Sequence, residues 1–335
     1  MPIQFRFILP FALRQLLVSR LQNSCHVRRY LATSDASVEI IPDPQFQKNK
    51  PLRHLQSVNR SIPIKRISSA PPVQYVSAIA LKLATPGHLS ALDLAQQIAA
   101  DFAQTNDTNC RNGVVTEQIW HSFTVQVTPP GWIYFRLTEE GLSEWLQLQI
   151  NQTLEIEKAD PDRFTDFSCT NSISDVQAQS ILIRDSTNIF LVLHTHARCC
   201  AILRLGSQLQ LVQFNRVNAP ERGELWNITQ PDPLPWLLPD RTLRCQHPAE
   251  WNLIDRLCTV IDDLSEWNLP HMPEQYLKWA VHLSQDWQKF HAHCRISSND
   301  PALAQVRLGL TMATQFLLKS LIEALDLATV APSEL

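Results

Sequence analysis

From Trp279 to the C-terminus the chain alternates apolar and polar positions with a helical period. Trp279, Leu283, Trp287 and Phe290 recur three or four apart, and so do Leu303, Val306, Leu310, Ala313, Leu317, Leu321 and Ala324. Each set lines one face of a 3.6-residue helix. Between them stands the polar run Ser297-Ser298-Asn299-Asp300-Pro301. Asp300 can cap a helix start, and Pro301 suits a first turn whose N–H has no helical partner. The pattern predicts two amphipathic helices joined by a short turn and packed antiparallel.

The N-terminal half is more varied. Phe7, Phe11, Leu13, Leu16, Leu17 and Leu21 give an amphipathic helix. Val38–Ile41 alternates weakly before Pro42-Asp43-Pro44 and reads as a short strand. Residues 45–72 are polar, basic and broken by proline, which reads as a long loop. Val76, Ile79, Ala80 and Leu83 then share a helical face, Thr85-Pro86-Gly87 breaks it, and Leu92, Ala95, Ile98, Ala99 and Phe102 resume it. Residues 103–118 form a polar loop. Ser122–Val127 and Trp132–Leu137 read as strands around the turn Thr128-Pro129-Pro130-Gly131, with a helix from Thr138 to about Leu148. Residues 151–186 are an acidic linker with little periodicity. An apolar helix follows and stops at Gly206. Six prolines between 207 and 250 predict an irregular insertion, after which helices resume at Trp251.

At 335 residues the chain has room for two domains. Seven glycines are too few for a fold built on Gly-rich phosphate turns, and no Walker loop or GxGxxG appears. No apolar run approaches membrane-spanning length. Eight cysteines without a C-x-x-C pair fit reduced thiols in the cytoplasm. Charge changes the picture more. The net value is −3, yet residues 1–82 carry twelve Lys/Arg against three acids, and residues 251–335 carry six against ten. A cationic front end suits a phosphate backbone; an acidic rear suits a protein partner. Five arginines and no acid in residues 1–34 also fit an organelle transit peptide. The structural helix is the favoured reading, because patterned sequence follows directly.

The segment Phe290, His291, Cys294, Arg295, Ile296, followed by Arg307, Leu308, Leu310, Ala313, Thr314, Leu318 and Lys319, resembles the end of an arginyl-tRNA synthetase. In that family this end is the helical DALR anticodon-binding domain. The closing Ala331-Pro332-Ser333-Glu334-Leu335 lacks the family's terminal Arg and Met. Upstream, His196, Ala197, Arg198 and Ile202 resemble the helix that enters that domain. Tyr75 and Ser77, then Gly131, Ile133, Phe135, Arg136 and Leu137, resemble the family's N-terminal additional domain, a small module that touches the tRNA elbow.

The resemblance implies an α+β protein: a small sheet domain over residues 1–150, the acidic linker 151–186, and an all-α DALR-type bundle over 187–335 with the Pro-rich insertion 207–250. The family's catalytic domain has no counterpart, and neither H-x-G-H nor a K-M-S-K-S-like loop occurs. Those motifs stabilise the charged transition state of ATP-dependent activation. A non-catalytic tRNA-binding protein is therefore expected, with arginine tRNA as the first candidate partner, no cofactor and no membrane. The alternative is a protein-interaction module that has lost RNA binding, with the full-length synthetase as a candidate partner.

Arg and aromatic side chains suit unpaired bases. At the anticodon-binding end the stripe assigns Trp287 and Phe290 to the core, which leaves His291, Arg295 and Arg307 for RNA. The basic stretch with Arg53, Arg60, Lys65 and Arg66 is a second RNA surface. His194, His196, Cys199 and Cys200, and His291, His293 and Cys294, lack the paired spacing of a structural zinc site and read as helix packing. No catalytic residue is assigned.

Overall fold

The computed structural model describes residues 9–10, 13–14, 17, 62–67, 72–84, 90–103, 122–155, 185–219, 223–266, 273–296, 299–325 and 327. The chain divides into two compact units, one made chiefly of Ile8–Ser68 and Pro72–Gly141, the other chiefly of Leu142–Leu335. The expected strand at Val38–Ile41 and the loop residues Arg53 and Arg60 lie outside the described residues.

The N-terminal unit is a four-stranded antiparallel sheet: β1 (Ile64–Arg66), β2 (Gln74–Ser77), β3 (Phe123–Thr128) and β4 (Trp132–Leu137), in the order β1-β2-β4-β3. Helices α1 (Ile79–Leu83) and α2 (Ala91–Ala103) cover one face. Tyr75, Ile133, Phe135 and Leu137 point to that face and are buried, and the Phe102 ring meets Phe135 at 5.4 Å between centroids. Ser90 caps α2, accepting from the Asp93 N–H at 3.1 Å while its hydroxyl donates to the Asp93 carboxylate at 2.6 Å. The β3–β4 turn closes through Gly131, whose N–H donates to the Thr128 carbonyl at 3.0 Å. Gly131 sits at φ +147°, and a Cβ there would lie 2.7 Å from the Ala91 carbonyl oxygen, so only glycine fits.

Two expectations change here. Gln74–Ser77 forms a strand, not the start of a helix. Tyr75 and Ser77 alternate inward at full burial, which is period two. Within the supposed basic loop, Ile64–Arg66 is an edge strand paired to β2. Leu9, Leu13 and Leu17 are helical and buried, and Arg14 donates to the Ile62 carbonyl at 3.3 Å.

Helix α3 (Glu139–Glu155) starts in the N-terminal unit, and its residues from Leu142 belong to the C-terminal one. There α4 (Ser186–Gln208), α5 (Pro248–Glu266), α6 (Pro273–His293) and α7 (Pro301–Ala324) form the bundle. α7 is capped as expected: Asp300 accepts from the Ala302 and Leu303 N–H groups at 2.9 and 3.3 Å. It is buried on more than one stripe, since Leu308, Met312, Thr311 and Thr314 are also enclosed. The two threonine hydroxyls are satisfied by carbonyls one turn back in their own helix, at 2.9 and 2.8 Å. α6 packs on α7 with Trp287 and Phe290 in the core.

α4 is long and apolar enough to cross a membrane by length and composition, contrary to the sequence reading, but 56% of its most apolar stretch is buried inside the unit. It runs past Gly206, where a Cβ would meet Leu308 at 2.6 Å. That glycine admits α7 rather than ending the helix. The insertion 207–250 is not wholly irregular: β5 (Gln213–Ala219) and β6 (Gly223–Gln230) pair as an antiparallel hairpin. The Pro-rich run that follows is pinned by side chains. The Gln147 side-chain Oε1 accepts from the Leu234 N–H and the Trp236 indole at 3.0 and 2.9 Å, and Arg244 pairs with Asp300 at 3.2 Å.

Gly309 is where this run meets α7. A Cβ there would lie 2.5 Å from Leu234 and 2.8 Å from the Trp236 ring. Gly309→Ala should therefore destabilise the protein by about 1–3 kcal/mol through overpacking, despite alanine's better helix propensity. Thermal unfolding of the variant checks this.

Candidate nucleic-acid interface

The last turn of α6 and the chain that leaves it carry the first surface. His291 sits on that turn, half-buried, with Arg295 two residues beyond the helix and exposed. The Trp287 ring lies under His291, 5.1 Å away and tilted by only 10°. Arg198, exposed on α4, brings a guanidinium nitrogen to 3.5 Å from His291 Nε2. Burial, and then the Arg198 charge, push the His291 imidazole below its ordinary pKa. The ring is thus kept neutral beside an exposed arginine.

Arg307 stands apart from the other two predicted residues. Its Nε donates to the Glu250 carboxylate at 2.7 Å, and another guanidinium nitrogen donates to the Arg295 carbonyl at 2.7 Å. The side chains of Arg307 and Glu250 are only 13% and 1% exposed. Glu250 also anchors its own helix start. Its other oxygen accepts the His247 N–H at 2.9 Å, while His247 Nδ1 accepts the Ala249 N–H at 3.1 Å. This is a capping box with histidine in the cap position and Pro248 in the first turn. One carboxylate therefore ties the start of α5 to α7, and through Arg307 to the backbone of Arg295. Sequence reasoning missed Glu250, although His-Pro-Ala-Glu ahead of an apolar run is a legible helix-start pattern.

The thiols beside this hub are buried and held in the protonated form. Burial, reinforced by Glu250, holds Cys294 at about 11, and Cys245 is pushed well above the ordinary thiol range. His196 is pushed down to about 4 by burial and Lys319, with Nε2 3.0 Å from Gln315. These groups are helix packing. Among the described residues no set of three His, Cys, Asp or Glu side chains converges as metal ligands.

The second surface is the sheet face opposite α1 and α2. The strand register places Lys65, Val76, Tyr134 and Gln126 in one row, and Gln74, Arg136 and Thr124 in the next. Trp132, 36% exposed, stands at the end of β4 on the same side. Lys65 and Arg66 do not share a face. Adjacent strand residues point opposite ways, and Arg66 is registered with the inward Tyr75. Sequence reasoning did not single out Tyr134, Trp132 or Arg136 for RNA. The signal was the alternation along Trp132–Leu137, whose outward members are aromatic or cationic.

Comparison with known proteins bears on the helical unit. Residues 192–331 match the DALR anticodon binding domain. An arginine–tRNA ligase of Gloeobacter violaceus is 31% identical over 155 residues, covering 44% of this chain and 22% of the relative. That of a Synechococcus strain is 31% identical over 133 residues, 38% of this chain and 19% of the relative. That of Heliobacterium modesticaldum is 25% identical over 141 residues, 42% of this chain and 22% of the relative. The chain thus spans about a fifth of the length of these relatives. No solved structure matches. The DALR match takes in the His291–Arg295 turn, Arg198, Glu250 and Arg307.

Proposed function

We propose that this protein is a tRNA-binding relative of arginine–tRNA ligases that does not itself aminoacylate, acting in the cytoplasm on arginine tRNA. The observation that carries the reading is the DALR match over a bundle that displays Arg295 and holds its backbone in place through Arg307. The anticodon loop would meet His291, Arg295 and Arg198, with Arg307 in a positioning role. The second contact would fall on the sheet face, where Lys65 and Arg136 supply charge for phosphate and Tyr134 and Trp132 supply stacking surface. That face accords with the resemblance to the synthetase N-terminal additional domain.

The experiment has two arms. In a gel shift with total tRNA, binding should be strong at low salt and weaken steeply at high salt. In the same preparation, freed of host synthetase, arginine-dependent ATP–pyrophosphate exchange should stay at background. Exchange above background would overturn the non-catalytic assignment. A second reading, a protein-interaction module, draws on α4 and its C-terminal cap residue, where Phe190, Leu205 and Leu209 are 70%, 46% and 50% exposed. It takes over if tRNA fails to bind at low salt.

A further inference from the structure

One face of α6 breaks the rule that buried polar groups find partners. Ser284, Trp287 and His291 follow at i, i+3 and i+7, so they stand in a line on the same side of the helix. Ser284 is 0% exposed and Trp287 is 1% exposed. Ser284 Oγ, Trp287 Nε1 and His291 Nδ1 are all closed to solvent, and none has a hydrogen-bond partner among the described residues.

The chemistry of the three atoms is alike. Indole Nε1–H only donates. Arg198 brings a donor to His291 Nε2, so that nitrogen serves as acceptor and the proton of the neutral ring lies on Nδ1. The serine hydroxyl can donate as well. The face is thus a line of donors with no acceptor opposite among the described residues, and each such group costs about 1–3 kcal/mol. Packing accounts for a large flat ring at Trp287, but not for its unpartnered N–H.

The line ends at the surface, under the half-buried His291 ring. That ring is held at its outer edge by the single long contact to Arg198, in the last turn of α6, where the helix gives way to exposed Arg295. Helix ends open most readily. We propose that outward rotation of His291 uncovers a donor slot for the acceptor edge of one unpaired nucleobase, engaging Trp287 Nε1–H and His291 Nδ1–H, with Ser284 completing the line. The occupant is a base because neutral N–H donors at ring edges suit a flat ring edged with carbonyl and ring-nitrogen acceptors, and because Arg198 and Arg295 flank the slot with positive charge. This assignment rests on the tRNA-binding reading above.

The test uses the full chain and a tRNA anticodon stem-loop as probe. Trp287→Phe should stay folded, with an unfolding temperature lowered only by the volume the smaller ring leaves empty, yet bind the stem-loop about tenfold more weakly, the value of one missing hydrogen bond. Ser284→Ala should unfold at the same or a higher temperature, since it removes an unpartnered buried hydroxyl, and should weaken binding by less. In 15N spectra of the wild type, the indole resonance that is missing in Trp287→Phe should move when the stem-loop is added. A Trp287→Phe protein that is folded and binds like wild type, or an indole resonance that stays put in the bound complex, overturns the slot while leaving tRNA binding intact. A wild type that does not bind the stem-loop removes the parent reading, and the slot with it.

Discussion

Glu250→Ala should be the most damaging single truncation in the helical unit, costing about 3–5 kcal/mol and lowering the melting temperature by roughly 10 °C. The carboxylate is nearly enclosed, accepts the His247 N–H, and pairs with an Arg307 that is itself only 13% exposed. Its removal leaves a buried guanidinium without its counter-charge and the start of α5 without its cap. Glu250→Gln should cost less, because an amide oxygen can still accept the His247 N–H. Thermal unfolding of the two variants, with Arg307→Ala and the Glu250→Ala/Arg307→Ala double variant, checks the coupling. The double variant should lose much less than the two single losses added. A loss below about 1 kcal/mol for Glu250→Ala would place the pair among solvent-screened surface bridges.

The second large effect is on RNA. Arg295→Glu should weaken tRNA binding by more than tenfold at low salt, since it removes an exposed cation and sets a like charge against phosphate. Arg295 is exposed, and its backbone rather than its side chain meets Arg307, so the fold should not change. Arg307→Ala should also weaken binding, but through reduced stability and a displaced Arg295 segment. The two are told apart by melting temperature, which falls only for Arg307→Ala. If Arg295→Glu binds as wild type does, that turn does not touch RNA.

What could be read in the chain beforehand followed from local physics. The Asp300-Pro301 cap, the core side of α6 and the β3–β4 hairpin depend on neighbours a few residues away, and each appears where periodicity and turn chemistry put it. The α+β order is likewise as expected, a small sheet followed by the DALR-type bundle. The failures share a cause. Ile79, Ala80 and Leu83 do lie in α1, but Val76 joins their helical period by coincidence; the pairing of Tyr75 with Phe135, sixty positions away, decides for strand there. Ile64–Arg66 is too short to show a period, and only its pairing to β2 makes it a strand. The hairpin of β5 and β6 was hidden by the prolines around it. Arg307 reads as an exposed cation because Glu250, its partner, is 57 positions distant. Lys65 and Arg66 read as one basic patch until the strand sends them to opposite faces.

The central claim, that this chain binds tRNA by its DALR-type end and its open sheet face, is tested most directly by a salt series. Affinity for arginine tRNA would be measured from low to high salt for the wild type, for Arg295→Glu and for Lys65→Glu. The wild type should show a steep negative slope of log affinity against log salt. Each variant should show weaker binding and a shallower slope, by about one for each phosphate left without its cation. Wild type and variants that bind equally weakly, with equal slopes, would contradict the account.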